Sequence, residues 1–474
     1  MERILTASQM QQADRFTIDV LGIEQEELVL RAGKSIADLV IKRFLGGRVL
    51  VCVGKGNNGK DGLVVANILS KTHGFSVTVF DSENPCFELF DKQFDILIDC
   101  LFGVGLNRQI EGKYKDIIDK INAINCYKIA CDIPSGINGN NGKVMGVAIK
   151  ADLTVAIGEY KVGHFLNDGI DYCGEVVVKD IGISVWENNF IKRINDKDAK
   201  KCFEKPNRNV HKGSFGKACV LGGSEDYSGS ILISANSLTT LKSGVGYTYL
   251  CVPKSLFNAY VGKNPECILT TFDDDVACSL DKVLACDSIA VGMGMGVSEL
   301  TYKIVCYLLA NYNGTLIIDA DGLNALSKYG KAVLKDKKCN VILTPHVGEF
   351  SRLCDKNKVD LSDNLIDEAF DFAKKYNVKL VVKSAVSVIT DGEEIYLNTT
   401  GCSGMAKAGS GDVLSGLIAG ITARCSGEIE SLLSAVYMFG KAGEKAQELG
   451  CGFTVTASEI IAQFSSVILD LQKA

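Results

Sequence analysis

Short apolar runs alternate with amphipathic segments along almost the whole chain, and this alternation constrains the possible folds more than any other feature. The runs at residues 48–54, 94–100 and 127–133 are apolar almost throughout, instead of alternating between apolar and polar side chains. Strands of this kind are typical of parallel sheets that helices cover on both faces. The pattern therefore predicts an α/β fold in which each sheet is the middle of three layers.

The alternation starts twice, which predicts two domains. The first series ends with an apolar run at residues 174–183, and a polar segment at 187–213, which contains Pro206, separates it from the second. A length of 474 residues also exceeds the usual size of a single domain. We therefore predict one domain over residues 1–205 and another over residues 206–474.

Composition and charge narrow the class of protein. With 47% hydrophobic and 23% charged residues the chain is globular, and its formal charge of −6 gives no reason to expect nucleic acid or an anionic membrane as a partner. No apolar run approaches the roughly 18 residues of a membrane-spanning helix. The 18 cysteines are scattered without a C-x-x-C pair, which favours free thiols in a cytoplasmic protein over disulfides or a metal cluster.

Residues 400–420 read TGCSGMAKAGSGDVLSGLIAG, a glycine-rich loop that continues directly into a helix. Glycines allow backbone amides to turn toward an anion, and the start of a helix adds the positive end of its dipole. Asp412 stands at the junction, where an acid is unfavourable beside phosphate unless it transfers a proton. The loop indicates nucleotide-dependent chemistry on a hydroxyl group, although a flexible turn before an N-capped helix would give the same pattern.

Three predicted strand ends in the first half carry polar side chains. The first runs into GKGNNGKDG, whose asparagines suit a monovalent cation or a phosphate, while Asp61 by itself is more ordinarily a helix cap. Asp99 ends the next strand, and Asp132 and Ser135 follow the third. Because the carboxyl ends of parallel strands meet at one edge of a sheet, the three ends together predict a ligand site.

VCVGKGNNGKDGLVVA, DCLFGVGLNR and CDIPSGING resemble the epimerase domain of the NAD(P)H-hydrate repair enzymes, over about residues 1–205. These enzymes act on NAD(P)HX, the hydrated form of NADH or NADPH with a hydroxyl at ring carbon 6. The resemblance implies a Rossmann-like sheet, a bound potassium ion and Asp132 as the catalytic carboxylate that shuttles a proton. The implied substrate residues are Asn57, Asn58, Gly59, Lys60, Asp61, Gly103, Val104, Gly105, Leu106, Asn107, Arg108, Gln109 and Asp132, and the implied potassium ligands are Asn58, Asp99 and Ser135.

Lys60 departs from the family pattern, which has a glycine at this position. Glycine permits a close approach of the backbone, whereas a lysine could add a contact to phosphate.

Several polar residues follow predicted strands in the second half, and the residues alone leave their roles open. Asp319 and Asp321, in DADGLNAL, suit either Mg²⁺ or a helix cap. His346 follows a proline in TPHVGEF, which favours a place in a site over a purely structural role. Lys383 either binds nucleotide phosphate or is a solvated lysine at the end of a strand.

TPHVGEF and GMAKAGSGD, with the motifs in order around them, resemble the ADP- or ATP-dependent NAD(P)HX dehydratase over about residues 205–473. The resemblance implies a ribokinase-like sheet, and Mg²⁺ with ADP or ATP. It places the hydrate against Ser230, Gly294, His346 and Asp412, with Asn324 nearby, and the nucleotide against Lys383, Ser384, Ala385, Val386, Ser387, Met405, Ala406, Lys407, Ala408, Gly409, Ser410 and Gly411.

In this resemblance Asp412 is the catalytic base, which takes the proton of the 6-hydroxyl as that oxygen attacks the nucleotide. The phosphorylated hydroxyl then leaves and NAD(P)H is restored. Ser384 and Ala408 stand where the family usually has glycine. Because alanine resists positive φ, we expect a tighter loop at Ala408 and weaker nucleotide binding.

The leading hypothesis is a bifunctional repair enzyme, whose first half epimerises R and S NAD(P)HX and whose second half dehydrates the S form. One alternative is a small-molecule alcohol kinase of the ribokinase-like group, and another is a non-catalytic binding module in the first half. The presence of Asp132 favours an enzyme. The expected partners are NAD(P)HX and ADP or ATP, with neither nucleic acid nor membrane, and the expected assembly is a homo-oligomer.

Overall fold

The computed structural model describes residues 1–186, 190–239, 243–357, 364–425, 429–450 and 452–473. It divides into two compact units, the first of residues 3–190 and the second of residues 1–2 and 191–474. This division falls before the boundary predicted at residue 205, because the polar segment contributes a strand and a helix to the second unit. Of that segment, residues 187–189 lie outside the described residues.

The first unit contains eight strands and five helices within the described residues. The strands are β1 (Glu2–Leu5), β2 (Gly47–Val53), β3 (Phe75–Asp81), β4 (Ile96–Cys100), β5 (Tyr127–Cys131), β6 (Leu153–Ile157), β7 (Tyr160–Lys161) and β8 (Glu175–Lys179). The helices are α1 (Ala7–Asp19), α2 (Gln25–Arg43), α3 (Asn57–Ser70), α4 (Lys113–Ala123) and α5 (Gly169–Tyr172).

The main sheet of the first unit has the strand order β3-β2-β4-β5-β6-β8, and all neighbouring strands are parallel. Helices α2 and α3 bury Ile36 and Val65 on one face, and α4 buries Ile117 on the other. Outside this main sheet, β1 pairs in parallel with β7, which sets Leu5 opposite Lys161. The three-layer arrangement predicted for this half is confirmed.

The second unit begins with a strand and a helix from the polar segment, and its elements follow in alternation. The strands are β9 (Ile191–Arg193), β10 (Lys217–Leu221), β11 (Tyr247–Pro253), β12 (Ile268–Phe272), β13 (Ser288–Val291), β14 (Thr315–Ile318), β15 (Asn340–Leu343), β16 (Lys379–Val382), β17 (Ser387–Thr390) and β18 (Ile395–Asn398). The helices are α6 (Asp196–Lys200), α7 (Ser228–Thr239), α8 (Phe257–Tyr260), α9 (Val276–Ser279), α10 (Glu299–Asn311), α11 (Ala320–Tyr329), α12 (Val347–Leu353), α13 (Leu365–Tyr376), α14 (Ser410–Arg424), α15 (Ile429–Leu449) and α16 (Ala457–Lys473).

The sheet of the second unit has the order β12-β11-β10-β13-β14-β15-β16-β17-β18-β9. Only β17 among these described strands is antiparallel to its neighbours. Helices α7, α14, α15 and α16 share one core with Ala290 of β13. Ile289 and Val291, whose side chains point to the opposite face, are buried as well. Both faces of the sheet are therefore covered, as predicted.

Element boundaries differ from the predictions at a few places that matter for the sites. The sequence has a helical pattern from residue 62, but the helix begins at Asn57, so half of the glycine-rich loop is its first turn. A second helical pattern covers residues 230–242, where the helix occupies Ser228–Thr239 and residues 240–242 lie outside the described part. Among the described residues, no helix combines the length and apolar character needed to cross a membrane.

Candidate functional site

In the first unit, a cavity of about 580 Å³ opens at the carboxyl ends of β2, β4 and β5. The predicted residues that line it are Asn57, Asn58, Asp61, Gly103, Val104, Gly105, Leu106, Asn107, Arg108 and Asp132. Gly59, Lys60 and Gln109 are not in its wall. The sheet therefore brings most of the predicted substrate-binding residues around one cavity.

Gly59 and Lys60 have opposite surroundings in the first turn of α3. A Cβ on Gly59 would lie 1.8 Å from the backbone oxygen of Gly54, so the position admits only glycine. Lys60 is exposed. The close backbone approach is therefore made at Gly59, and a lysine at position 60 does not obstruct it.

The predicted potassium ligands meet around the backbone of Phe102. Asn58 Nδ2 donates to the Phe102 carbonyl at 3.0 Å, and the Phe102 amide donates to Ser135 Oγ at 2.8 Å. Ser135 in turn donates to the buried Asp99 carboxylate from Oγ at 2.6 Å and from its amide at 2.7 Å. A carboxylate, a hydroxyl, a carbonyl and a side-chain amide are oxygen ligands suited to a hard cation, so this set fits potassium.

Asp132 has a left-handed backbone (φ 66°), which non-glycine residues rarely adopt. The Lys161 ammonium forms an ion pair with its Oδ1, and the Ile157 amide donates to the same oxygen at 3.2 Å. His164 Nε2 donates to the Asp132 carbonyl at 2.8 Å, while Nδ1 accepts from the Lys161 amide at 3.2 Å. Burial lowers the pKa of His164 to about 4, which keeps its ring neutral.

The sequence-based prediction missed Lys161, His164 and Asp14, which accompany Asp132. Lys161 and His164 follow β6 within GEYKVGH, so their place after a strand end was a signal of the same kind as that of the predicted acids. Asp14 lies in α1 and lines the same cavity. The amphipathic pattern of a helix gives no comparable sign of a site.

Asp61 does not cap a helix, so that interpretation was wrong. The N-cap of α3 is Gly56, without a side-chain hydrogen bond. Asp61 Oδ2 lies 4.0 Å from the thiol of Cys131, the residue before Asp132. Burial, followed by the charges of Asp132 and Asp14, raises the pKa of Asp61 to about 8. The cavity therefore sets a carboxyl that is mostly protonated at neutral pH beside one that is ion-paired.

In the second unit, the glycine-rich loop enters α14 through Gly409, which is the N-cap. Gly409 is left-handed (φ 94°), and no side chain caps the helix. The first amides of a helix have no partner within it, so those of α14 are available to an anion. Ala408 has no positive φ. The left-handed residue of the loop is therefore the glycine that follows, and Ala408 does not have to adopt the backbone that alanine resists.

Asp412 lies in the first turn of α14, where Ser230 of α7 donates a hydrogen bond to it. Burial and, next, the charge of Asp319 raise the pKa of Asp412 to about 7, against the opposing effects of Ser230 and Lys383. Ser234 Oγ donates to the Asp412 carbonyl at 3.0 Å, which fixes α7 against α14. A carboxyl with this pKa can exchange a proton near neutral pH.

Lys383 points toward the start of α14. Its Nζ lies 2.8 Å from Asp319 Oδ1, and a Cβ on Gly411 would lie 3.3 Å from it. Only 20% of the Lys383 side chain is exposed, so the interpretation as a solvated lysine was wrong. The ammonium instead adds positive charge beside the helix amides.

Asp319 and Asp321 both have partners within the fold. Asp319 caps α11 by accepting from the Ala320 amide at 2.8 Å, and it also accepts from Ser415 Oγ. Asp321 Oδ2 accepts from the Gly296 amide at 2.8 Å. These contacts support the helix-cap interpretation for Asp319 and a loop anchor for Asp321.

His346 begins α12 and stands beside Lys383 through a backbone bridge. Its Nδ1 accepts from the amides of Gly348 at 2.9 Å and Glu349 at 3.3 Å. The side chain is 55% exposed, so the ring caps the helix and at the same time stays accessible from solvent. Asn324, on the neighbouring α11, accepts from Arg352 Nη2 at 2.9 Å.

Gly294, Ser384 and Val386 are three further predicted residues of the second unit. A Cβ on Gly294 would lie 3.1 Å from Ser230 Cβ, so the loop after β13 meets the start of α7. Ser384 Oγ donates to the Val386 carbonyl, and the Val386 side chain is buried. Of these two residues, Val386 can therefore offer a ligand only its backbone.

Two family profiles match the chain, one in each half. The family described as YjeF-related protein N-terminus matches residues 25–95 and 81–163. The family described as NAD(P)H-hydrate dehydratase matches residues 218–465.

Relatives resemble the chain over most of its length. The bifunctional NAD(P)H-hydrate repair enzyme Nnr of Thermofilum pendens is 33% identical over 489 residues, which cover 94% of this chain and 92% of the relative. The protein of the same name from Dictyoglomus turgidum is 30% identical over 457 residues, which cover 87% of each chain.

Solved structures resemble the second unit. The ADP/ATP-dependent NAD(P)H-hydrate dehydratase of Bacillus subtilis, crystallised with ATP and Mg²⁺, has a TM-score of 0.52 at 24% identity and covers 59% of this chain and 99% of its own. A ribokinase-like superfamily protein of Enterococcus faecalis has a TM-score of 0.53 at 23% identity, over 60% of this chain and 97% of its own. These likenesses show a ribokinase-like fold. Because the relatives match both units, the chain belongs to the family of bifunctional NAD(P)H-hydrate repair enzymes.

Proposed function

We propose that the chain restores hydrated NADH and NADPH in two steps. The first unit interconverts R and S NAD(P)HX, and the second dehydrates the S form with ADP or ATP. The observation that carries the proposal is the half-buried carboxyl of Asp412, whose pKa of about 7 suits a base, at the start of an uncapped helix. That arrangement is what phosphorylation of a hydroxyl group requires.

In the first reaction, carbon 6 of the hydrate lies next to Asp132. Asp132 gives a proton to the departing hydroxyl, which leaves as water, and the ring nitrogen stabilises the resulting cation. Water then returns to either face and gives its proton back to Asp132, whose charge stabilises the cation between the two steps. A Cβ on Gly103 would lie 3.8 Å from Asp132 Oδ2, which supports a place for the substrate between Asp132 and the loop at residues 103–109.

Asn58, Asp99 and Ser135 are the residues that would hold potassium in this unit, through the oxygen ligands around Phe102. An ion bound there would supply positive charge beside the loop that lines the cavity. Asn57, Asn58 and Arg108 lie along the same wall and would contact the substrate.

In the second reaction, Asp412 takes the proton of the 6-hydroxyl. Lys383 and the first amides of α14 stabilise the negative charge on the transferring phosphoryl group. Ser230, Gly294 and His346 orient the hydrate, and residues 405–411 hold the nucleotide. A Mg²⁺ ion bound with the nucleotide would neutralise part of the phosphate charge. The phosphorylated hydroxyl then leaves, since the ring nitrogen donates electrons toward carbon 6.

The deciding experiment incubates the full chain with a mixture of R and S NADHX, K⁺, Mg²⁺ and either ADP or ATP. Recovery of reduced-nicotinamide absorbance beyond the S fraction is the expected result, and the two nucleotides are compared directly. A stable phosphorylated product without restored absorbance would indicate an alcohol kinase. Recovery that stops at the S fraction would make the first unit a non-catalytic binding module.

We further propose a cytoplasmic location and a homo-oligomeric assembly. The described cysteines are free thiols, which supports a reducing compartment. Light scattering of the purified chain tests the assembly, since a monomeric mass at micromolar concentration would contradict it.

A further inference from the structure

Lys161 is a buried cation of the first unit that the proposed reaction leaves unused. Its side chain is 0% exposed, yet it forms part of the cavity wall. Burial of an ammonium group is unfavourable unless the group is paired, and even a paired one commonly adds little stability. Here Nζ is ion-paired with Asp132 and donates to the Ile157 carbonyl at 2.6 Å. Because this ion pair lies in the wall of the cavity, its role concerns the reaction and not the stability of the fold.

The contacts of Asp132 differ between its two carboxylate oxygens. Oδ1 accepts from both the Lys161 ammonium and the Ile157 amide. Oδ2 is turned toward Gly103, in the loop that faces the cavity. The ion pair thus anchors one oxygen and aims the other at the substrate.

Lys161 is itself held from two sides. Its backbone pairs with Leu5 across β1 and β7, and its amide donates to His164 Nδ1 at 3.2 Å. The same imidazole donates a hydrogen bond to the carbonyl of Asp132. Lys161 and His164 therefore fix both the carboxylate and the unusual backbone of Asp132.

We propose that Lys161 is a positioning residue for epimerisation, which acts by orienting and charge-pairing the Asp132 carboxylate. The inference rests on the function proposed for the first unit. If it holds, removal of the ammonium lowers the epimerisation rate only as long as Asp132 is present. A purely structural role has no such dependence.

The test uses the full chain and compares Lys161→Ala, Lys161→Met, Asp132→Asn and the double variant of Lys161→Ala with Asp132→Asn. Lys161→Ala should slow R-to-S conversion about 100-fold. In the Asp132→Asn background it should slow conversion by less than about threefold, since groups that act as a unit are not additive. Dehydration of pure S NADHX in the second unit is the internal control and should stay at the wild-type rate.

Chemical rescue separates a missing charge from a damaged fold. Methylammonium fits the space left by Lys161→Ala, which opens into the cavity, and should restore the rate at least about tenfold. Lys161→Met fills that space without a charge, preserves the packing and should not respond to the amine.

Wild-type epimerisation by Lys161→Met, or losses that multiply in the double variant, would overturn the role of Lys161. A failure of the epimerase function itself would give another result. In that case the unmodified chain would not epimerise NADHX, or Asp132→Asn would remain fully active.

Discussion

Asp412 lies in the first turn of a helix that follows a glycine-rich loop, and Asp61 lies just past the first turn of another such helix. The helix dipole favours the charged form there and is worth at most about 2 kcal/mol. Their pKa values nevertheless rise to about 7 and about 8, chiefly by burial and then by neighbouring carboxylates. Burial therefore outweighs the dipole at both positions, and both carboxyls can exchange protons near neutral pH.

The dehydration rate should rise with pH through about 7, because Asp412 accepts a proton only in its ionised form. Ser230→Ala removes a hydrogen bond that lowers this pKa, so the midpoint should move to higher pH. The measurement is kcat/KM for S NADHX across the pH range, with the exposed Asp274→Asn as control. A midpoint near 4 in the unmodified chain would contradict the assignment of Asp412 as the base.

Gly409 should matter more for nucleotide binding than Ala408. Gly409→Ala must adopt a φ of 94° and brings a methyl group 3.0 Å from Ile233 Cδ1, so the loop has to shift. We expect the KM for ADP or ATP to rise about tenfold, which corresponds to about 1.4 kcal/mol. Ala408→Gly should change that KM less than about twofold, and a larger improvement would show that the loop is constrained at Ala408 after all.

Single site residues were predictable from the sequence where they share a strand end with glycines. Asp99 and Asp132 have this signature, whereas Asp412 was predictable from the glycine-rich loop that continues into its helix. Asp14 was not predictable, because a polar residue on an amphipathic helix ordinarily faces solvent. A tighter loop was predicted at Ala408, whereas the left-handed residue is Gly409, since φ depends on how the loop packs and not on composition alone.

At the scale of elements, apolar strands were predictable because each is buried on both faces. Strands β1, β7, β9 and β12 were not predicted, since they are short or partly polar. Pairing with a neighbour defines such strands, and sequence-local patterns do not encode it. Lys161 lies in β7, a strand of only two residues, and this is why the sequence-based prediction missed it as a site residue.

The first turn of α3 should not tolerate any side chain at position 59. Gly59→Ala brings a methyl carbon within 1.8 Å of the Gly54 carbonyl, and we expect the first unit to lose about 3 kcal/mol of stability. Gly56→Ala is the matched control, because nothing lies within 4 Å of its Cβ position. Urea unfolding of both variants, followed with R-to-S conversion, measures the difference, and equal stability would contradict the close packing of α3.

The packing of α14 against α7 gives the corresponding prediction for the second unit. A Cβ on Gly416 would lie 2.2 Å from the Ser234 carbonyl, so Gly416→Ala should force the helices apart and cost about 3 kcal/mol. In Gly229→Ala nothing lies within 4 Å of the new methyl, and a small gain of up to about 1 kcal/mol is expected. Denaturant midpoints of the two variants test this, and a Gly416→Ala chain as stable as the control would rule out the tight contact.

For the whole molecule, each unit has its own sheet, its own core and its own acidic site. Substitutions in one site should therefore leave the chemistry of the other intact. With a mixture of epimers, Asp132→Asn should halt recovery of NADH at the S fraction. Asp412→Asn should restore about 10²–10⁴-fold less NADH per unit time while the epimers still interconvert. Loss of both activities in either variant would contradict this independence.

The left-handed backbone of Asp132 changes how any substitution at this position must be interpreted. Asparagine adopts such a conformation readily, whereas alanine and, above all, valine oppose it. An alanine scan would combine a chemical loss with a distorted turn and would overstate the catalytic contribution of the carboxylate. Asparagine preserves the conformation, and glycine tests the backbone alone, so this pair of substitutions distinguishes what position 132 contributes as a turn from what it contributes as an acid.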